Sequence, residues 1–251
     1  MNKYLLILLC LGLLFLSACS EKAEDPLGAS QSELPISWYS GYKMPELLEQ
    51  KVTINDIDDI GALSEKKWYA EFSVFHLDDP EKAFSVASCK QFHDLGHTAL
   101  NTSRELDNTA FMEMAVMCHA TRQIVNARPA SQTYLNNISF DANLPAALPK
   151  QFAMMLSRSE SEKAEKDQKI KYWAQLNKIT AVSVSGPHMA TYKSEAGEQE
   201  LELLARGDFN HDGVEDMLIT SRDSVTDGSY SAIRLFKLTK LSDKGEVVLL
   251  E

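Results

Sequence analysis

Positive charge is scarce in this sequence. Its 25 lysines and arginines face 36 acidic residues, a formal net charge of −11 at pH 7. Nucleic-acid phosphates demand basic patches, and anionic lipid surfaces attract polybasic segments, so the balance argues against both kinds of partner. Also missing are a Gly-rich phosphate loop, a G-x-S-x-G nucleophile elbow and a basic stripe interleaved with aromatics. No stretch of about 40–60 residues repeats itself, which argues against a β-propeller. No nucleophile–base set stands out, so the sequence points away from an enzyme.

One long apolar run is present. Lys3 precedes it, Tyr4 to Leu16 is almost wholly apolar, and Leu16-Ser17-Ala18-Cys19 closes it. The run is short for a membrane span and ends in small residues, the pattern of a secretory signal. Leu-Ser-Ala-Cys resembles the lipobox of bacterial lipoproteins. The resemblance implies cleavage before Cys19, a diacylglycerol thioether on its sulfur and an acylated new N-terminus. Several acyl chains anchor stably, at about 0.8 kcal/mol per buried CH₂. In that family a serine after the cysteine, here Ser20, implies delivery to the outer membrane of a Gram-negative cell. Residues 1–18 are thus expected to be a signal peptide. Residues 19–35, rich in Glu, Ser, Gln, Gly and Pro, are expected to be a flexible tether.

Only four cysteines occur. With Cys10 lost in the signal peptide and Cys19 lipidated, Cys89 and Cys118 remain, an even pair in an oxidising compartment that predicts a disulfide. The surrounding periodicity is helical. Phe84 to Phe92 suggests one helix. A second starts near Thr109, carries Phe111, Met114, Ala115, Cys118 and Thr121 on one stripe, and ends near Arg128-Pro129. Gln151 to Leu156, after Pro149, continued by the charge-rich run Arg158 to Lys171, predicts a further helix with a solvated middle. From Ile179 the period becomes two, over Ile179–Val184, Thr191–Ser194, Glu200–Leu204, Met217–Arg222, Ser231–Leu238 and Val247–Leu250, with turn signals between. The fold expected is α+β: a mainly helical region, residues 36–175, carrying the disulfide, then an antiparallel β region, residues 176–251.

Between two of those strands lies Gly207 to Thr220, GDFNHDGVEDMLIT. Three carboxylates and an amide within nine residues suit a hard cation better than a packed core. Ca²⁺ takes six to eight oxygens from carboxylates, amides, carbonyls and water. Alternate residues Asp208, Asn210 and Asp212 can turn their oxygens to one centre, and Gly213 permits the sharp turn after them. The EF-hand pattern requires a glutamate at position twelve; here that position is Ile219. The flanks read as strands, and Asp-x-Asn-x-Asp-Gly-x-x-Asp between strands resembles the calcium loops of integrin-type FG-GAP repeats. It is also similar to the single copy near the C-terminus of some bacterial lipoproteins. The resemblance implies Asp208, Asn210, Asp212 and Asp216 as side-chain ligands of Ca²⁺ and Val214 as a carbonyl ligand. It departs from the family in having His211 where glycine is usual and in lacking FG and GAP sequences. A solvated acidic turn is the plainer alternative, since Asn, Asp and Gly favour turns.

Two other stretches invite chemistry. His93-Asp94-Leu95-Gly96-His97 is similar to the metal-binding motif of HD-domain phosphohydrolases, which would make His93 and Asp94 ligands and place His97 beside substrate. It lacks the family's further ligands, and a helix end with Gly96 as its C-cap is the simpler expectation. Asn55 to Gly61 is acidic but closes no cation cage, and a solvated turn is expected. The function this sequence points to is a non-enzymatic, calcium-stabilised binding or scaffolding lipoprotein of the envelope, on the periplasmic side or the cell surface. Its protein or polysaccharide partner is not written in the sequence. The alternative is a metal-dependent hydrolase using His93, Asp94 and His97.

Overall fold

Each strand stretch expected after residue 178 is a strand, and four further strands precede them. In chain order the elements are β1 (Ser37–Trp38), α1 (Ile57–Ala62), β2 (Phe72–His76), β3 (Asp79–Val86), α2 (Cys89–Asp94), β4 (Leu100–Thr102) and α3 (Asn108–Asn126). Then follow α4 (Leu144–Ala147), α5 (Arg158–Lys166), β5 (Ile179–Gly186), β6 (Met189–Ser194), β7 (Glu198–Gly207), β8 (Asp216–Ser224), β9 (Ser231–Thr239) and β10 (Val248–Leu249). The computed structural model describes residues 33–96, 100–226, 228 and 230–250, all within one compact unit, Ser32–Glu251. The lipobox with Cys19, and His97, lie outside the described residues.

The strands β5 to β10 pair antiparallel in chain order, and β1 adds to β7 through Ser37↔Arg206 and Trp38↔Ala205. A separate three-stranded sheet has the order β3-β2-β4. The middle of the large sheet is buried on both faces. On β7, β8 and β9, Leu201, Leu203, Met217, Ile219 and Leu238 join one core, with Phe140, Phe152, Trp173 and Tyr192. The intervening Leu204 and Leu218 join a second core, with Phe72, Phe92, Phe111, Met114, Met117 and Ile124, and Ala205 joins it too because the β7–β8 register shifts between Leu203 and Ala205. Successive strand side chains point to opposite faces, so a nearly continuous apolar run such as Met217-Leu218-Ile219 serves both cores at once. The long helix α3 covers the second core with Phe111, Met114, Cys118, Thr121 and Ile124, all buried. That is the predicted stripe, with Ala115 half-buried at its margin.

One buried acid on the sheet is fully paired. Asp223, 1% exposed, accepts from Arg234 Nη2 at 2.7 Å, Ser221 Oγ at 2.5 Å and Gln199 Nε2 at 3.1 Å. Gln199 Nε2 also reaches the Phe152 carbonyl at 2.8 Å, and Arg234 donates to the carbonyls of Gln151 and Phe152 at 2.7 and 2.9 Å. This network fastens the chain at 151–152 to the sheet. On the other face Gly41 passes so close that a Cβ there would lie 2.6 Å from Glu202 Cγ and 2.9 Å from the Leu203 carbonyl oxygen.

Several expectations change. Residues 36–175 are not mainly helical: they contain a whole small sheet and give β1 to the large one. Phe84–Phe92 is not one helix. Its first three residues end β3, and α2 begins at Cys89, where Ser88 accepts a hydrogen bond from Gln91 N at 3.2 Å as N-cap. The Asn55–Gly61 turn is in fact the start of α1. Asp56 caps it by accepting from Asp59 N at 3.0 Å, and acidic residues suit the positive end of a helix. Of the helix expected over Gln151–Lys171 only Arg158–Lys166 forms, as α5, capped by Ser157; residues 150–152 make a separate 3-10 turn.

The Cys89–Cys118 disulfide is present and ties α2 to α3, with Cα atoms 5.2 Å apart and a sequence separation of 29. Both cysteines are fully buried. Constraining an unfolded loop of that length stabilises by about 3–4 kcal/mol. The Cys89→Ala, Cys118→Ala double variant is therefore expected to lose about 3 kcal/mol in urea unfolding. A urea midpoint equal to that of the wild type would show that the α2–α3 packing holds without the link.

Candidate functional site

The acidic loop begins where β7 ends and finishes where β8 begins, closed by the pair Gly207↔Asp216. Its course is set by side chains that accept backbone N–H groups, as short Asx side chains do. Asp208 Oδ1 accepts from His211 N at 2.6 Å and Asp212 N at 3.1 Å, and Oδ2 from Gly213 N at 2.8 Å. Asn210 Oδ1 accepts from Asp212 N at 3.2 Å, and Asp212 Oδ1 from Val214 N at 2.8 Å. Asp216 Oδ2 accepts from Phe209 N at 2.9 Å. The loop thus wraps around Asp208, with left-handed turns at His211 (φ 66°) and Gly213 (φ 85°).

A second segment embraces it. Just after α3, Arg128 and Asp208 exchange N–H···O bonds of 3.0 and 2.9 Å, Ser131 N donates to the Gly213 carbonyl at 2.9 Å, and Glu215 N donates to the Gln132 carbonyl at 2.8 Å. Ser131 Oγ adds a second bond to the Gly213 oxygen at 2.9 Å. His211 Nε2 donates to the Asn126 carbonyl at 2.7 Å. Glu215 is paired with Arg206 at 3.0 Å and receives the Thr133 hydroxyl at 2.7 Å. None of the partners at 126–133 was marked in the sequence, because they lie some 80 residues away and carry no motif.

Of the expected ligands, Asp208 and Asp216 are buried, Asn210 and Asp212 are exposed, and Val214 is half-buried. Asn210 Nδ2 donates to Asp212 Oδ2 at 2.9 Å, so positions three and five are adjacent. Asp216, 0% exposed, has one oxygen, Oδ1, without a hydrogen-bond partner. Burial raises its pKa from 3.8 to about 6, against the Thr239 hydroxyl and Phe209 N–H, and the nearby charges of Asp212 and Asp208 push it further up. The Thr239 hydroxyl is close enough to temper that rise, yet neither it nor Asp216 Oδ1 makes a regular hydrogen bond. No group of three or more His, Cys, Asp or Glu side chains among the described residues is arranged to hold a metal ion.

The donor set nevertheless fits a hard cation in kind. A carboxylate has about four lone-pair directions, so oxygens already receiving N–H groups can still coordinate. The orphaned Asp216 oxygen is the buried acceptor most in need of a partner. No described group of acids is arranged to hold a metal as it stands, so a cation would require the exposed Asn210 and Asp212 side chains to turn from their mutual hydrogen bond.

The two described members of the second motif have separate partners. Asp94 is exposed and ion-paired with Lys90 at 2.9 Å, and His93 Nε2 lies 3.3 Å from the Cys118 carbonyl oxygen. Gly96 has φ 85° just past α2, the left-handed position expected of a C-cap glycine. Two cavities of about 520 and 390 Å³ flank α5 and share Met155, Leu156 and Ala164. They are of small-ligand size, and nothing in the sequence marked them. No known family model, curated protein or solved structure matches the chain.

The Asp216 geometry generates a pH expectation for metal-free protein. An acid whose folded pKa is raised contributes stability below its unfolded pKa and loses it as pH rises through the folded value. Stability should therefore decline between about pH 4 and 6.5. At about 1.4 kcal/mol per pKa unit the change is on the order of 2–3 kcal/mol. Asp216→Asn, neutral at every pH, should abolish this slope in urea unfolding run with chelator. A slope unchanged in that variant would assign the pH dependence to other groups.

Proposed function

We propose that this protein is a non-enzymatic envelope lipoprotein whose sheet is stabilised by Ca²⁺ at residues 208–216 and presents a surface to an envelope partner. The observation that carries the cation reading is Asp216: a fully buried carboxylate with an unpartnered oxygen, facing two further acids at the end of the central strand pair. A buried carboxylate is costly unless paired, protonated or bound to a metal. Asp208, Asn210, Asp212 and Asp216 would supply side-chain oxygens and Val214 its carbonyl. Bound Ca²⁺ would neutralise the cluster and draw β7, β8 and the 126–133 segment together. The anchor reading rests on Leu16-Ser17-Ala18-Cys19. No described helix is long and apolar enough to cross a membrane.

Binding to the folded form alone stabilises by RT ln(1 + [L]/Kd). With a Kd of about 10⁻⁴–10⁻³ M, usual for extracellular-type sites, millimolar Ca²⁺ gives about 0.4–1.4 kcal/mol. For a domain of this size that corresponds to about 1–5 °C in Tm. Purified protein is expected to melt higher by this amount in Ca²⁺ and to return on chelation. Mg²⁺ should do less, because it demands a tight octahedron and keeps its water. Asp212→Ala should lose the response and keep the disulfide. Identical melting curves in Ca²⁺ and chelator, from protein shown to be metal-free at the start, would leave an ordinary acidic turn.

The anchor is tested apart from the cation. Cys19→Ser should block lipidation and leave a longer precursor in radiolabelled-palmitate and mass measurements. Normal processing of that variant would refute the lipobox assignment.

A further inference from the structure

His211 is the one non-glycine among the described residues with a positive φ, 66°. A left-handed conformation is unfavourable for an L-residue with a Cβ, and such strain persists where the surroundings over-determine it. Glycine would take this position without cost. Two contacts hold this residue, and only the second needs the imidazole. Its backbone N–H donates to Asp208 Oδ1 at 2.6 Å, inside the loop. Its Nε2–H donates to the Asn126 carbonyl at 2.7 Å, outside it. Asn126 is the last residue of α3, and the last four carbonyls of a helix have no partner within it. The imidazole therefore satisfies a helix-end carbonyl and fixes loop position four in one act.

Positions three and five, Asn210 and Asp212, flank that residue and are the two exposed members of the donor set. Positions one and nine are buried and held by backbone N–H groups. The part of the loop free to disorder is thus centred on His211. We infer that His211 is a positioning residue for the cation site. Anchored on α3, it holds the left-handed turn between Asn210 and Asp212, so that a divalent, oxygen-seeking cation meets a loop already ordered around Asp208. Preorganisation raises affinity by removing ordering costs from the binding step. Linkage is reciprocal: the bound cation in turn steadies the end of α3 and residues 127–133.

This rests on the calcium reading above, and the experiment separates the two. Ca²⁺ titration calorimetry and hydrogen–deuterium exchange are run on metal-free wild type, His211→Gly and His211→Gln. Ordering one side chain and its turn corresponds to about 2–10-fold in affinity. His211→Gly is expected to bind Ca²⁺ weaker by that factor and to lose the Ca²⁺-dependent protection at 127–133. Its metal-free Tm should not fall in proportion, because glycine relieves the backbone. His211→Gln, which keeps a side-chain donor, should recover most of the affinity. Wild-type affinity and protection in His211→Gly would overturn the positioning role while leaving the cation site standing. A metal-free Tm that falls with Ca²⁺ affinity unchanged would make His211 a helix cap only, and would also overturn it. Absence of Ca²⁺ binding in the wild type would overturn this inference together with the reading it rests on.

Discussion

The β7–β8 pair is apolar on both faces, and the architecture follows from that. A sheet exposed on one side needs one cover; this one needs two. The chain supplies the first from α3, α2 and the small sheet β3-β2-β4, and the second from residues 135–173 with β5, β6 and β10. Because consecutive residues on β8 enter different cores, Leu218 with Met114 and Phe111, Met217 and Ile219 with Trp173 and Tyr192, a one-residue slip would exchange the two sets completely. The ladder's register must therefore be pinned. The loop that joins the two strands is the place where it is pinned.

That loop lies at the boundary between buried sheet and solvent. Asp208 and Asp216 are drawn inside with the strand ends, while Asn210, His211 and Asp212 stay outside. Buried carboxylates need donors. Asp208 finds three backbone N–H groups, and Asp223, at the far end of β8, finds Arg234, Gln199 and Ser221. Asp216 finds a single one. The contrast between two well-satisfied buried acids on one strand pair and a third with an idle oxygen is what gives the cation reading its physical basis. The same loop is hydrogen-bonded to residues 126–133, which carry the chain from the α3 core to the opposite face of the sheet. Stiffening the loop therefore stiffens the connection between the two cores.

Much of the sheet was legible in the sequence. Six stretches became β5 to β10 with shifts of a few residues at their ends. β7 and β8 are buried on both faces and show as apolar runs, whereas on β6 every second residue, Ala190 and Tyr192, is buried, so period two traces one buried face. The stripe on α3 was legible for the same reason at period 3.6. The disulfide could be inferred from compartment and parity alone. The early strands were not legible. β3, with Asp79, Pro80, Glu81 and Lys82, is an edge strand with most of its residues exposed, so no alternation marks it, and charge and proline are common means of blunting such an edge. β1 is two residues long. The acidic run at Asn55–Gly61 reads as a turn because Asp serves turns and helix N-caps equally well, and only the chain after it distinguishes the two.

For the site, the sequence by itself determined the donor set, its spacing and the two strands that present it. Those properties depend on residues within one loop, where local hydrogen bonding and φ preferences decide the outcome. Tertiary structure alone decided which donors are buried and what surrounds them. The idle oxygen of Asp216 depends on Thr239 and on the depth of β8 in the sheet. The restraint on His211 depends on a helix-end carbonyl 85 residues earlier in the chain. Burial and long-range partners are set by how the covers close on both faces of β7 and β8, and no window of sequence around Gly207–Thr220 contains that information.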